Sequence, residues 1–288
     1  FGTEDALVRI QFCSGTHAIA AVLYGILRPN DELLSVTGAP YDTLEEVIGI
    51  RKDTSDDCGS LRDFGVSYRE IALTEHGNVD FNGIRNGIHK DTKVVFVQRS
   101  CGYSWRASIP LHDIARIVSI VRECELELNL KPNSIVVFVD NCYGELVEDV
   151  EPTDVSIGAD VAAGSLIKNC GGTIVSSGGY VVGKRELVRL ARNRMSAPGV
   201  GGAAALGMNR SIIQGLFLAP QMVGEAMKGA VLIAKVMSAL GYRVQPEYDE
   251  NRCDIIQAVM LNEKQKVIQF CRAVQRNSAI NSHVLPVP

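Results

Sequence analysis

The chain has 288 residues, 46% hydrophobic and 22% charged, with a formal net charge of −4. That balance is ordinary for a folded protein and leaves no basic excess to favour nucleic acid or an anionic membrane as the main partner. Its eight cysteines form no CxxC pair and have no histidine at zinc spacing, which argues for reduced thiols in a cytoplasmic protein and against a disulfide framework or a metal site. The opening FGTEDALVRI has no initiator methionine and the closing SHVLPVP has no final element, so segments are expected beyond both ends.

SGTHAIAAVLYGIL (14–27) predicts a helix that starts at Ser14 and Gly15. DELLSV (31–36) predicts a strand, and YDTLEEVIGI (41–50) a helix with Asp42 or Thr43 near its cap. A polar loop over 51–65 leads to VSYREIAL (66–73), KVVFVQRS (93–100) and SIVVFVD (134–140), all strand-like. Between the last two, LHDIARIVSIVRECELEL (111–128) repeats its apolar residues every 3.6 positions, as a helix does. Near-continuous apolar strands separated by helices predict a parallel sheet buried on both faces. TIVSSGGYVVG (173–183) is strand-like again, and helices then dominate to about residue 240. The run 211–240 is apolar but contains Gln214, Pro220, Gln221, Glu225 and Lys228, so it reads as falling short of a membrane span. Its many small residues, Gly215, Ala219 and Gly224 among them, predict close helix contacts at a subunit interface or a domain link. RVQPEY, DIIQAVML and a helix near 263–276 predict a small α+β domain. The expected division is a large domain over 1–205, linking helices over 206–240 and a partial small domain over 241–288.

Ligands of open α/β sheets bind beyond the carboxyl ends of the strands. There SIVVFVD ends on Asp140, either a cap for the next turn or a carboxylate for a cationic ligand nitrogen. The helix start at Gly15 and Thr16 is either a plain cap or a phosphate cradle, and His17 reads as a packing or hydrogen-bonding histidine. Tyr41 follows Gly38-Ala39-Pro40 at a strand-to-helix turn, placed to stack on a planar ring or simply to pack in the loop. Lys168 lies in GSLIKNCGG, between an apolar pair and a glycine pair, where a lysine needs a partner or a route to water. A phosphate cradle, a stacking tyrosine, a carboxylate and a lysine 28 positions after it are together what pyridoxal phosphate requires. Lys168 would bind the aldehyde as a Schiff base, with burial favouring its neutral amine. Asp140 would keep the pyridine nitrogen protonated, Tyr143 would bond the ring's phenolic oxygen, and Ser165 would reach the phosphate. Arg99, at the end of KVVFVQR, is a candidate for a substrate carboxylate, as is Arg106 close behind it; a structural ion pair is the alternative for each.

The motifs SGTHAI, GAPYDTLEEVIG, QRSCGYSW, FVDNCYGE and AAGSLIKNCGG, in this order, resemble the methionine gamma-lyase family of fold-type I pyridoxal-phosphate enzymes, over essentially the whole chain. That family includes cystathionine beta-lyase-like proteins linked to aluminium resistance. The resemblance implies an α/β large domain with a mostly parallel sheet flanked by helices and a small α+β C-terminal domain. It implies Lys168 as the Schiff-base lysine, Asp140 as the pyridinium partner, and Gly15 and Thr16 as the phosphate turn. Tyr41 would stack on the ring and, by analogy, protonate a leaving sulfur. The implied activity is carbon–sulfur lysis of a sulfur amino acid by a homodimer or homotetramer, with β and γ elimination left open. Ile167 stands where those lyases carry Ser or Thr, which leaves Ser165 as that loop's phosphate ligand. Relatives also run longer at both ends, where related lyases hold an arm to a neighbouring subunit and a carboxylate-binding arginine. Three other readings are an aminotransferase on the same scaffold, a non-catalytic remnant of the fold, and a nicotinamide domain built on GVGGAA (199–204). The last lacks the buried strand that should precede such a turn.

Overall fold

Strands β1 (Asp5–Arg9), β2 (Glu32–Ser35), β3 (Ser67–Glu70), β4 (Thr92–Gln98), β5 (Val136–Asp140), β6 (Val161–Ser165) and β7 (Gly179–Gly183) form one sheet in a computed structural model, which describes residues 1–51, 59–200 and 209–278. The order across the sheet is β1-β7-β6-β5-β4-β2-β3. The five strands from β6 to β3 are mutually parallel, whereas β7 runs antiparallel to β6, and the edge strand β1 pairs antiparallel with β7. Both faces of the central strands are covered, which explains their unbroken apolar sequences. Val95, Val97, Val137 and Val139 point into one apolar layer, and Val94, Phe96, Val136 and Phe138 into the other.

Helix α1 (Gly15–Ile26) forms because Ala18, Ile19, Val22, Leu23 and Ile26 share one face, and that face is buried in the second layer. Helices α2 (Asp42–Ile48) and α5 (Arg185–Met195) bury Leu44, Ile48, Val188 and Ala191 on the same side. Helices α3 (Phe81–Gly87) and α4 (Leu111–Glu127) cover the opposite face with Ile84, Ile114, Ile117 and Val121. Helices α1, α2 and α4 lie where the sequence predicts them, within a few residues at their ends, whereas α3 and strand β6 are not among the predicted elements. Strand β1 is an addition: DALVR buries only Leu7 fully, so one apolar residue in a polar edge strand left too weak a pattern to read.

The contacts divide the chain into two units. The first comprises Phe1–Met227 together with Arg252–Ile256, and the second Lys228–Asn251 and the residues from Gln257 onward. In sequence the divisions are drawn near 205 and 240, whereas helix α6 (Asn209–Ala239) runs through both units. The second unit also holds the two-stranded sheet of β8 (Arg243–Gln245) and β9 (Ala258–Met260) and helix α7 (Lys264–Arg276). Helix α6 is continuous through Pro220, Gln221, Glu225 and Lys228, and by length and composition it could cross a membrane, whereas the sequence reading has 211–240 falling short of a span. Within the first unit, however, Ile212, Ala219 and Val223 are buried. The loop 51–65 and the GVGGAA stretch lie partly, and Cys58 and the closing SHVLPVP entirely, outside the described residues.

Candidate active site

Asp140 ends β5 and pairs in register with Gln98 at the end of β4, so the two parallel strands deliver both side chains to one edge of the sheet. They meet Thr16 from α1, Tyr41 from the turn before α2, and Tyr143 and Lys168 from the loops after β5 and β6. These residues line a cavity of about 400 Å3, to which Ile256 adds an apolar side chain from the returning segment 252–256.

Asp140 is buried, and its Oδ1 accepts the Cys142 N–H at 3.1 Å. Burial raises its pKa, opposed by that hydrogen bond and by Lys168. The Lys168 Nζ sits 3.9 Å from the centre of the Tyr143 ring. Burial alone would lower the pKa of Lys168, but Cys142, Tyr143 and Asp140 outweigh it and the net shift is upward. Burial thus acts in the expected direction, toward the neutral amine, and the neighbouring groups act against it. Burial also pushes the Cys142 thiol well above its ordinary value, and Asp140 is among the groups that favour the Lys168 ammonium.

At the other end of the cavity, the Tyr41 Oη lies 2.9 Å from Thr16 Oγ1, which is itself 3.2 Å from Thr43 Oγ1. The Tyr41 N–H donates to Gln98 Oε1 at 2.9 Å, fixing the turn. Burial and the Asp140 charge raise the phenol pKa of Tyr41, so the phenol keeps its proton at neutral pH. In α1, Ser14 Oγ accepts the His17 N–H and the Ser14 carbonyl accepts that of Ala18. The N–H groups of Gly15 and Thr16 have no such partner among the described residues, and a helix start with free donors suits an anion. A Cβ on Gly15 would come within 3.0 Å of the Ser165 Cβ, so only glycine lets α1 approach the end of β6 this closely. Ser165 is buried there, and its Oγ accepts the Ile167 N–H at 3.2 Å. Gly15 and Ser165 therefore back the wall that Thr16 lines. His17 has the structural role read from sequence: Nδ1 accepts the Cys13 N–H at 3.1 Å and the ring packs edge-on against Phe12.

Arg99 departs from its expected role. It is fully buried, and Nη1 donates to Asn141 Oδ1 at 2.7 Å and to the Gly144 carbonyl at 3.1 Å, while Nη2 pairs with Glu148. A Cβ on Gly144 would run into it. With these partners it braces the turn after β5 and is not among the residues lining the cavity, the arrangement of the structural ion pair that is its alternative reading. Arg106 is likewise committed, to the carbonyls of Gln98, Ser100 and Ala107. Reading one residue further back would have found Gln98, since it occupies the same strand end as Asp140 on the neighbouring strand. No comparable signal announces Ile256. Among the described residues no three His, Cys, Asp or Glu side chains gather as a metal site.

The glycine pair after Lys168 has a steric cause. A Cβ on Gly171 would collide with the Leu166 carbonyl oxygen, and Gly172 has φ +53 with Gly215 of α6 against it. Gly171→Ala is expected to lower stability by about 2 kcal/mol or more, seen in a thermal melt as a fall of at least about 4 °C.

Glu145 is a second buried carboxyl near the site. Burial pushes its pKa up to about 8, against the hydrogen bond it accepts from Tyr180 Oη at 2.7 Å. The folded protein therefore holds this proton more tightly than the unfolded chain, and stability falls as pH rises toward 8. Relative to Glu145→Gln, the native protein should lose about 2 kcal/mol between pH 6 and pH 8 in urea titrations.

The sheet order, the flanking helices and the strand-end cavity define the fold of the fold-type I pyridoxal-phosphate enzymes. The chain belongs to the methionine gamma-lyase family, whose model matches residues 1–288. It is 45% identical over its full length to the uncharacterized protein YnbB of Bacillus subtilis (strain 168), of which it covers 66%. It is 43% identical, with a TM-score of 0.91, to the structure of a carbon-sulfur lyase involved in aluminum resistance from Clostridium novyi NT; the match covers 100% of this chain and 66% of that one. Apo CalE6, a methionine gamma lyase from Micromonospora echinospora, shares the fold at 19% identity and a TM-score of 0.61, with 86% of this chain and 59% of that one covered. The chain thus spans about two thirds of the length of its similar relatives.

Proposed function

We propose that this chain carries the cofactor-binding part of a pyridoxal-phosphate-dependent carbon–sulfur lyase, which converts a sulfur amino acid to a thiol, a keto acid and ammonia. The observation that carries the reading is the shared cavity of Lys168, Asp140, Tyr41 and Thr16. The donor set fits the cofactor: a cation-pairing carboxylate, an amine for the aldehyde, and free N–H groups at Gly15 and Thr16 for the phosphate. When bound, pyridoxal phosphate supplies an electron sink for the electrons left when the α-proton departs.

The chain's own residues do the rest. Asp140, once paired with the ring nitrogen, no longer favours the Lys168 ammonium, and the amine can take the α-proton from the substrate. Tyr41 keeps its own proton and gives it to the departing sulfur, with Thr16 orienting the phenol. Tyr143 and Thr16 border the cavity so as to exclude water from it.

A homodimer or homotetramer belongs to the same proposal. The first unit leaves Ile213, Leu216 and Phe217 of α6 exposed, apolar area that association would cover. The seven described cysteines are free thiols, as suits a reducing cytoplasm. Incubation with cystathionine, methionine and cysteine tests the reaction. A lyase releases thiol and ammonia in equal amounts with the keto acid, whereas an aminotransferase, given an added α-keto acid as amino acceptor, forms keto acid with neither and passes the amino group to the acceptor, and that outcome would replace the proposal.

A further inference from the structure

Lys168 and Tyr143 stand on different loops, and a side chain outside the cavity lining joins the two. Asn169 follows Lys168 directly and is buried. Its Nδ2 donates to the Tyr143 carbonyl at 3.0 Å and to the Glu145 carbonyl at 2.9 Å. The carbonyl between them, that of Gly144, is taken from the other side by Arg99 at 3.1 Å. Three consecutive carbonyls are thus gripped alternately by Asn169 and Arg99. Tyr143 is held at φ +72, a left-handed conformation that a tyrosine adopts only where its surroundings impose it. In that conformation its ring meets the Lys168 amine, 3.9 Å from the ring centre.

We propose that Asn169 is a positioning residue: its amide holds the Tyr143 and Glu145 carbonyls and thereby fixes the Tyr143 ring against the Lys168 amine, setting the reactivity of that amine. The inference rests on Lys168 being the reactive lysine of the proposed lyase. The chemistry demands a carboxamide. One nitrogen must offer two N–H groups without charge; leucine or alanine would leave the Glu145 carbonyl bare and the Tyr143 carbonyl with only the Ile255 N–H at 3.3 Å. The ring face stabilises the ammonium form, so losing the contact frees amine at a given pH.

The test is site-resolved acylation of the full chain without added cofactor, at pH 8, with acetic anhydride and mass spectrometry. The exposed Lys131 provides the internal reference. In Asn169→Ala the labelling of Lys168 relative to Lys131 is expected to rise about two- to five-fold. Asn169→Ser keeps one donor, is the milder variant should alanine fail to fold, and should give a smaller rise. In a Tyr143→Leu background, where the ring is gone, Asn169→Ala should add nothing further. An unchanged labelling ratio in a folded variant would overturn the proposal, as would the same rise persisting without the ring. The labelling needs no cofactor, so its failure leaves the lyase reading standing. Conversely, a chain that binds no cofactor would end the lyase reading and leave this labelling result intact.

Discussion

Lys168→Ala is expected to abolish turnover, by at least about 10^3-fold, and to remove the visible absorbance of the lysine-bound cofactor. Both losses follow from one amine having two duties, carrying the aldehyde carbon and moving the α-proton. The side chain is only partly buried and the backbone around it is held by other groups, the Leu166 N–H on the Gly178 carbonyl and the Gly171 N–H on the Lys168 carbonyl. The fold should therefore survive, with a melting temperature within about 3 °C of the native protein. Steady-state kinetics, an absorbance spectrum and a thermal melt on the same preparation check all three. Retained turnover in a folded variant would remove the central residue from the account.

Asp140→Asn is the second large effect, and here activity and stability move apart. Loss of a preorganised charge opposite the ring nitrogen is expected to lower kcat by about 100-fold or more. Stability at neutral pH should hold or rise. Burial raises the folded-state pKa of Asp140, so the folded protein binds this proton more tightly than the unfolded chain. Stability then falls as pH climbs from the unfolded value through the folded one, and above that window the charged form is a net burden on the fold. Asparagine removes the charge while its Oδ1 can still accept the Cys142 N–H. Urea titration beside kinetics separates the two: a destabilised variant with unchanged kcat would make Asp140 a structural cap instead.

Much of the site was legible because strand ends and helix starts are local features. Asp140 closes an apolar strand, Thr16 opens a helix, Tyr41 stands in a glycine-proline turn, and each signal lies within a few residues. Lys168 was conspicuous as a charge between apolar and glycine pairs, though its pKa direction was not: that depends on which groups face it, and Asp140 faces it only once β5 and β6 are adjacent. Arg99 misled for the same reason. Whether an arginine at a strand end turns into the cavity or beneath the next turn depends on Asn141 and Glu148, more than 40 residues away. The edge strand β1 was invisible, and DIIQAVML was readable as an element but not as a segment whose Ile256 belongs to the first unit, because nothing in these residues records their long-range partners.

The most direct measurement is borohydride reduction of the protein with pyridoxal phosphate, followed by proteolysis and mass mapping of the modified peptide. The account predicts one stoichiometric phosphopyridoxyl group on Lys168, in the peptide holding SLIKNCGG, and its loss of stoichiometry in Asp140→Asn. Modification spread over surface lysines, with Lys168 untouched, would contradict it.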